Sequence, residues 1–242
     1  KTNHLARFLD GAGARHRYMV HVGAGWALAR LHRRSGPFLE RFDPLLRWLI
    51  LDGYGFHQGY FHWPRYVDGR CLPGHLTGYG RRAFDQGLGR SLWFVEGADA
   101  QRIPERIRTF DPGRHGDLWS GVGLAAAYAG GVDAACLEDL GDAAGGFQPH
   151  LAQGAAFAAR ARELALNPAS HTEVACRIFA GVSAAEAARC AEEALVGLTG
   201  SSQACCLSTG TAPDPPAESA GDLSAESVRG IPAYELWREK LR

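Results

Sequence analysis

LILDGYGFHQGYFH, residues 49–62, is the stretch that decides the fold of this chain. Its length and its apolar content predict a buried helix. It nevertheless carries three glycines, and each glycine inside a helix costs about 1 kcal/mol relative to alanine. We therefore expect these glycines to let another group approach the helix backbone closely.

The same Gly-x-Gly pattern returns along the chain. The first glycines of successive copies are 30, 34, 34 and 33 residues apart. The five copies are Val22–Trp26, Asp52–Phe56, Gln86–Arg90, Ser120–Leu124 and Gln153–Phe157. A period in this range is typical of stacked helical hairpins. The sequence therefore predicts an all-α fold in which tandem helical-hairpin repeats, similar to tetratricopeptide repeats, form a compact solenoid.

Three regions are predicted from the distribution of apolar residues. Residues 1–198 form the helical repeat domain, and residues 199–225, rich in Ser, Pro, Gly and Ala, form a flexible linker. Residues 226–242 form a C-terminal docking helix, with Tyr234, Leu236, Trp237 and Leu241 as the apolar side chains available for docking.

Several helix starts are marked by side chains that can accept backbone N–H groups. Asp99 and Asp133 are 34 residues apart, in the same register as the glycines, and both suit an N-cap. Two further segments, 170–173 and 183–186, match the Ser-x-x-Glu capping box.

Composition excludes several classes of function. Twenty-six basic residues balance 26 acidic ones, which argues against a nucleic-acid partner or an anionic membrane surface. The six cysteines lack metal-ligand spacing, and reduced thiols are typical of a cytoplasmic protein. No apolar run is long enough to span a membrane and no signal peptide is recognised.

The residue before each first glycine is polar in four of the five copies. An unpartnered buried polar group costs about 1–3 kcal/mol. These side chains therefore either hydrogen-bond one another along the stack or line a cavity that holds water or a substrate. Two roles are likewise open for the glycines. They can allow close packing between successive repeats, or they can allow a ligand to approach the backbone closely.

The candidate catalytic residues are Asp52, His57 and Asp85, because a carboxylate beside an imidazole can tune it for general acid–base chemistry. A satisfied interhelical hydrogen bond is the alternative for each. His57 and His62 are five residues apart, about 140° around a helix, so they are poorly placed to chelate one ion. No metal site is predicted, although ligands from different helices, including His21 and Asp117, stay open.

Arg90 replaces the large apolar residue that other copies carry after the second glycine. It needs an acidic partner, with Asp52, Asp85 and Glu96 as candidates, or it faces a substrate carbonyl or carboxylate. No nucleophile elbow, phosphate-binding loop or catalytic triad is present, and the cofactor stays unknown. The predicted substrate-binding residues are His21, Trp26, Phe56, Gln86, Arg90, Trp119 and Gln153.

Four runs, Tyr18–Ala27, Asp52–Gly59, Arg82–Phe94 and Asp117–Ala125, together resemble the DUF1702 family over about residues 18–197. Members are typical of bacterial enediyne antibiotic gene clusters, beside the iterative polyketide synthase that makes a linear polyene. The resemblance implies an accessory protein that binds this polyene or polyyne intermediate and helps to process it. It supplies no catalytic residues.

Two alternatives stay open at this point. The chain could be a non-catalytic scaffold that docks the polyketide synthase or other pathway proteins, or a metal-dependent oxidase that acts on the polyene. Whether any turnover occurs, and whether the protein is a homodimer, is left open by the sequence.

Overall fold

A computed structural model describes residues 4–33, 35–40, 42–204 and 233–242, and every regular element in these ranges is helical. The predicted all-α class is therefore confirmed for the described residues. Within the same ranges, none of the helices combines the length and the apolar character that crossing a bilayer requires.

The helices are α1 (His4–Leu9), α2 (Arg17–Arg30), α3 (Gly36–Leu39), α4 (Trp48–Phe61), α5 (Tyr79–Val95), α6 (Arg102–Arg108), α7 (His115–Ala129), α8 (Ala134–Ala144), α9 (Gln148–Leu164), α10 (Ser170–Ala180), α11 (Ala184–Ala204) and α12 (Ala233–Glu239). Short 3-10 turns at Ala14–His16, Pro112–Arg114 and Gly145–Phe147 and a π turn at Pro64–Asp68 join some of them.

The five helices that carry the glycine pattern lie side by side in chain order. Helix α2 packs on α4, α4 on α5, α5 on α7 and α7 on α9, and α11 packs on α9. Helices α4 and α5 run in the same direction, because Trp48 meets Tyr79 near their starts at 4.9 Å and Tyr60 meets Phe94 near their ends at 6.2 Å.

The glycines lie where neighbouring helices cross. A Cβ built on Gly53 would overlap the Val22 carbonyl of the preceding helix, and one on Gly55 would overlap the Phe84 carbonyl of the following helix. Gly87, Gly121 and Gly154, each the first glycine of its copy, likewise lie against the backbone of the preceding helix. Gly25, Gly89 and Gly123, each the second glycine, lie against the backbone of the following helix. Of the two roles considered for these glycines, the structure shows packing between successive helices.

A second layer, made of α6, α8 and α10, covers one side of the row. Helix α10 packs on α7, α8 and α9, and α6 packs on α7 and α8. Ile103 of α6 and Leu140 of α8 are fully buried in the core beside Leu118 and Leu151 of the long helices. This burial offsets the low helix propensity of the glycine-rich segments, because apolar area removed from water contributes about 25 cal/mol per Å².

The predicted helix starts are confirmed at three of four places. The Asp133 carboxylate accepts the Cys136 N–H at 2.9 Å, and Asp99 accepts the backbone N–H groups of residues 101 and 102. Ser183 and Glu186 form the reciprocal capping box.

The capping box predicted at 170–173 is wrong. Ser170 is already the first residue of α10, and Ala169 precedes it without a side-chain cap. The Glu173 carboxylate instead accepts the Ala184 N–H at 2.7 Å, at the start of the next helix. The Glu173 carboxylate therefore bonds to the neighbouring helix instead of to the start of its own helix.

The predicted domain limits differ in part from the observed helices. Helix α11 continues to Ala204, past the expected boundary at residue 198. The rest of the predicted linker, residues 205–225, lies outside the described residues. Within the predicted docking segment, α12 spans Ala233–Glu239 and packs on α11.

Candidate functional site

Helix α12 lies over the row of polar residues that precede the glycines. Tyr234 and Trp237 are buried. The Trp237 indole donates to the Ala191 carbonyl of α11 at 2.7 Å, and the Tyr234 hydroxyl accepts the side-chain N–H of Gln86 at 3.1 Å. The C-terminal segment therefore docks on the helical repeat of its own chain.

The polar residues of the row also bond to one another. The Gln86 amide donates to Asp52 at 2.8 Å, and the Ser120 hydroxyl donates to Gln153 at 2.6 Å. Arg238 of α12 donates to the Gln153 side-chain oxygen at 3.2 Å. All four row residues are buried and none of them lines the apolar cavity described below, so of the two alternatives the structure shows hydrogen bonding along the stack.

An ionic network fixes α12 in this position. The fully buried Arg238 pairs with Asp117 of α7 at 2.7 Å and with Glu235 at 3.1 Å. Arg82 of α5 pairs with the same two carboxylates at 3.0 and 2.9 Å. Burial alone lowers the pKa of Arg238, but the neighbouring Tyr79 and the two carboxylates raise it well above its ordinary value. Arg238 is therefore a charged partner for both carboxylates at neutral pH.

An apolar cavity of about 210 Å³ begins one helical turn further along the same helices. Phe56, Leu124 and Phe157 lie four residues after members of the polar row, and they share its face because i and i+4 positions coincide on a helix. The cavity is lined by Tyr18, Met19, Val22, Leu49, Phe56, Arg90, Phe94, Leu124, Ala125, Tyr128, Ala129, Phe157, Ala161 and Trp237. Trp237 forms the wall on the α12 side.

Arg90 is the one charged residue among the described residues that line the cavity. Its guanidinium pairs with the Asp52 carboxylate and lies over the Phe56 ring at 5.0 Å. Of the three acidic partners considered for Arg90, the structure selects Asp52. A guanidinium has five N–H donors, so Arg90 can hold Asp52 and still present donors to the cavity.

A family model described as "Protein of unknown function (DUF1702)" matches residues 1–209. The chain belongs to the DUF1702 family. Neither a curated protein nor a solved structure matches it. The matched range includes every cavity-lining residue of the DUF1702 chain except Trp237, and α12 lies beyond it.

The predicted substrate-binding residues fall into four groups. Phe56 and Arg90 line the cavity of the DUF1702 chain, and Trp26 stacks on Phe56 with the ring centres 5.6 Å apart. Gln86 and Gln153 lie beneath α12. The remaining two are elsewhere: Trp119 is buried in the main core, and His21 lines a separate cavity of about 430 Å³ bordered by α1, α2 and α3.

The three candidate catalytic residues face different partners. His57 is only 2% exposed, and neither of its ring nitrogens has a hydrogen-bond partner, so it is not bonded to Asp52. Its ring packs against Trp26 and Phe61 instead. Burial lowers the pKa of His57, which keeps the imidazole neutral. Asp85 forms a two-pronged pair with Arg114 at 2.8 and 2.6 Å.

No set of three potential metal ligands occurs within the part of the chain that the structure describes. The catalytic roles of Asp52, His57 and Asp85 remain predictions, because their positions support no shared reaction centre.

The sequence reasoning missed several cavity residues. Phe94, Tyr128 and Ala161 line the cavity four residues after Arg90, Leu124 and Phe157 respectively. Each therefore lies in register with the repeat, and extending the alignment by one helical turn finds them. Trp237 carries no such signal, because it lies outside the repeat.

The pair of Asp85 and Arg114 gives a pH-dependent prediction. Burial raises the pKa of Asp85 from about 3.8 to about 6, against the lowering effect of Arg114. The folded state then binds the Asp85 proton more tightly than the unfolded state does. The resulting contribution to the free energy of unfolding is fully present below about pH 4 and is lost as pH rises through about 6.

We expect Asp85→Asn to remove this dependence. The stability of the natural protein minus that of the variant should fall by up to about 3 kcal/mol between about pH 4 and about pH 7, since one pKa unit corresponds to about 1.4 kcal/mol. Urea unfolding of both proteins across this range measures the difference. Parallel curves would contradict the assignment.

Proposed function

We propose that this chain binds an elongated apolar molecule in the cavity beside α12. One observation carries the proposal. The cavity is lined by residues of α2, α4, α5, α7 and α9, and most of them occupy equivalent positions of the repeat. We take these helices as the inner helices of a TPR-like solenoid, an architecture that presents one helix of every repeat to a ligand. Each added repeat then lengthens the wall for a long, narrow ligand.

The lining favours a conjugated or aromatic ligand. Phe56, Phe94, Tyr128 and Phe157 offer ring faces and edges, and such groups pack well against a flat π-system. Arg90 adds one cationic group to this apolar wall, where it can hold a carbonyl or carboxylate at the end of a chain. A linear polyene with an oxygenated end has this combination of properties.

The resemblance to enediyne gene-cluster proteins supports a specific ligand. We propose that the bound molecule is the linear polyene or polyyne intermediate, and that the protein acts after the polyketide synthase as an accessory that holds this intermediate while the enediyne core is made. An apolar cavity shields the part of a conjugated chain that it holds from water and from other molecules.

The test is a titration with a linear conjugated polyene carboxylic acid, followed by its absorption spectrum. The natural protein should bind the polyene saturably with a spectral shift. Ala129→Trp should weaken binding at least about tenfold, because Ala129 is an exposed residue at the cavity wall and an indole there fills part of the cavity.

Ala135→Trp is the matched control, since Ala135 is also an exposed helical alanine but lies on α8 and does not line the cavity. It should bind the polyene as the natural protein does. Absence of saturable binding by the natural protein, or equal binding by the two variants, would rule out the cavity as the site.

A further inference from the structure

Large aromatic side chains are exposed together where α4 and α5 end. Tyr60, Phe61, Trp63 and Phe94 are 43–50% exposed. The Tyr60 ring contacts Phe61 with ring centres 5.0 Å apart and Phe94 at 6.2 Å. We call these four residues the aromatic edge. A cluster of exposed apolar groups of this size marks an interaction surface more often than a single exposed side chain does.

The aromatic edge is continuous with the cavity. Phe56 lies 5.5 Å from Phe94 and 6.0 Å from Tyr60, measured between ring centres. Phe56 and Phe94 are both part of the cavity lining. A molecule that leaves the cavity on this side therefore passes directly along the exposed rings.

The charged groups beside the aromatic edge are basic. Arg30 and His32 lie near His57 at the end of α2, and the exposed Arg65 follows Trp63. Glu96, which borders the same surface depression as Tyr60 and Trp63, is paired with Arg102 and Arg106, and Asp68 is paired with Arg106. This edge is therefore locally cationic although the whole chain has no net charge.

We propose that the aromatic edge docks on the surface of an anionic phospholipid bilayer, and that the apolar ligand passes between the bilayer and the cavity along it. Trp and Tyr rings favour the boundary between headgroups and acyl chains. Each arginine near an anionic bilayer adds about 1 kcal/mol of attraction. Phe61 and Trp63 enter the boundary, and Arg30 and Arg65 contact lipid phosphates. The passage of ligand rests on the proposed function, whereas the docking does not.

Vesicle co-sedimentation of the full chain tests the docking. We expect the protein to bind vesicles that contain phosphatidylserine and to bind phosphatidylcholine vesicles much more weakly, with binding reduced by salt. The double variant Phe61→Ser, Trp63→Ser should lose at least about tenfold in vesicle affinity, because two rings no longer leave water. The pair Arg30→Gln, Arg65→Gln should lose about thirtyfold in affinity on anionic vesicles alone, because two arginines are removed at about 1 kcal/mol each.

The matched controls lie on α6, α10 and α11, outside the aromatic edge. Val174→Ser changes an exposed apolar residue on α10, and Arg108→Gln with Arg189→Gln removes two exposed charges from α6 and α11. These should bind vesicles as the natural protein does, with unchanged circular dichroism throughout. No vesicle binding, equal loss in edge and control variants, or capture of a protein partner by the edge in place of vesicles would overturn the docking.

The polyene titration without vesicles separates the two ideas. Polyene binding without vesicle binding leaves the proposed function intact and removes the membrane inference. Vesicle binding without polyene binding supports the docking and overturns the ligand passage.

Discussion

Gly87→Ala is expected to destabilise the protein by about 2 kcal/mol or more, or to prevent folding. A methyl group on Gly87 would overlap the Asp52 carbonyl of the neighbouring helix, and the contact is with backbone rather than with a movable side chain. Relief requires α4 and α5 to separate, and forced expansion of a packed interior costs about 1–3 kcal/mol or more. The loss of helix packing outweighs the gain of about 1 kcal/mol in helix propensity. Urea unfolding followed by circular dichroism measures the change.

Gly23→Ala is the matched control, because Gly23 is the corresponding first glycine in α2 and no atom lies within 4 Å of a Cβ built there. Here only the helix propensity changes, so we expect stability to rise by about 0.5–1 kcal/mol. Opposite signs for the two substitutions would demonstrate that the glycines serve interhelical contact. Equal effects would mean that the helices do not cross at the glycines.

The order of the glycine-bearing helices could be predicted because each of them contacts the copies that precede and follow it in the chain. Each Gly-x-Gly pair has to meet a helix before it and a helix after it, so spacing alone gives the order of the stack. The polar row follows from the same register: Asp52 and Gln86 are adjacent because their helices are adjacent. Periodic contacts between neighbouring units are the part of a fold that sequence spacing reports most directly.

The docking of α12 could not be predicted in the same way. The sequence predicts that this segment docks, but nothing in it identifies the partner surface. Tyr234 and Gln86 are 148 residues apart and share no repeat register. Arg238 looks like an ordinary surface arginine in an amphipathic helix, and only the tertiary structure places Asp117 and Gln153 around it.

The sequence itself indicates that Asp52 and His57 do not contact each other within their helix. The two residues are five positions apart, which is about 140° around a helix. Asp52 therefore points to Gln86 of α5 while His57 packs against Trp26 of α2. His57 and His62 have the same separation of about 140°, so neither pair shares one face of the helix.

Arg238→Ala is expected to release α12 from the helical repeat. The substitution leaves Asp117 and Glu235 buried with less compensation, and removing one partner from a buried pair costs about 3–5 kcal/mol. Helix α12 has only 7 residues, and its other large buried side chains are Tyr234 and Trp237. We therefore expect local release before global unfolding, since the contacts among α4, α5, α7 and α9 do not depend on α12.

Hydrogen exchange distinguishes local release from general loss of stability. In Arg238→Ala, amides of residues 233–239 should lose protection while those of α5 and α7 keep it, and tryptophan emission should shift to longer wavelength as Trp237 becomes hydrated. Lys240→Ala changes an exposed charge two residues away and should leave both signals unchanged. Because Trp237 is also a wall of the cavity, release should weaken polyene binding as well. A variant that keeps full protection at 233–239 would show that apolar contacts alone hold α12.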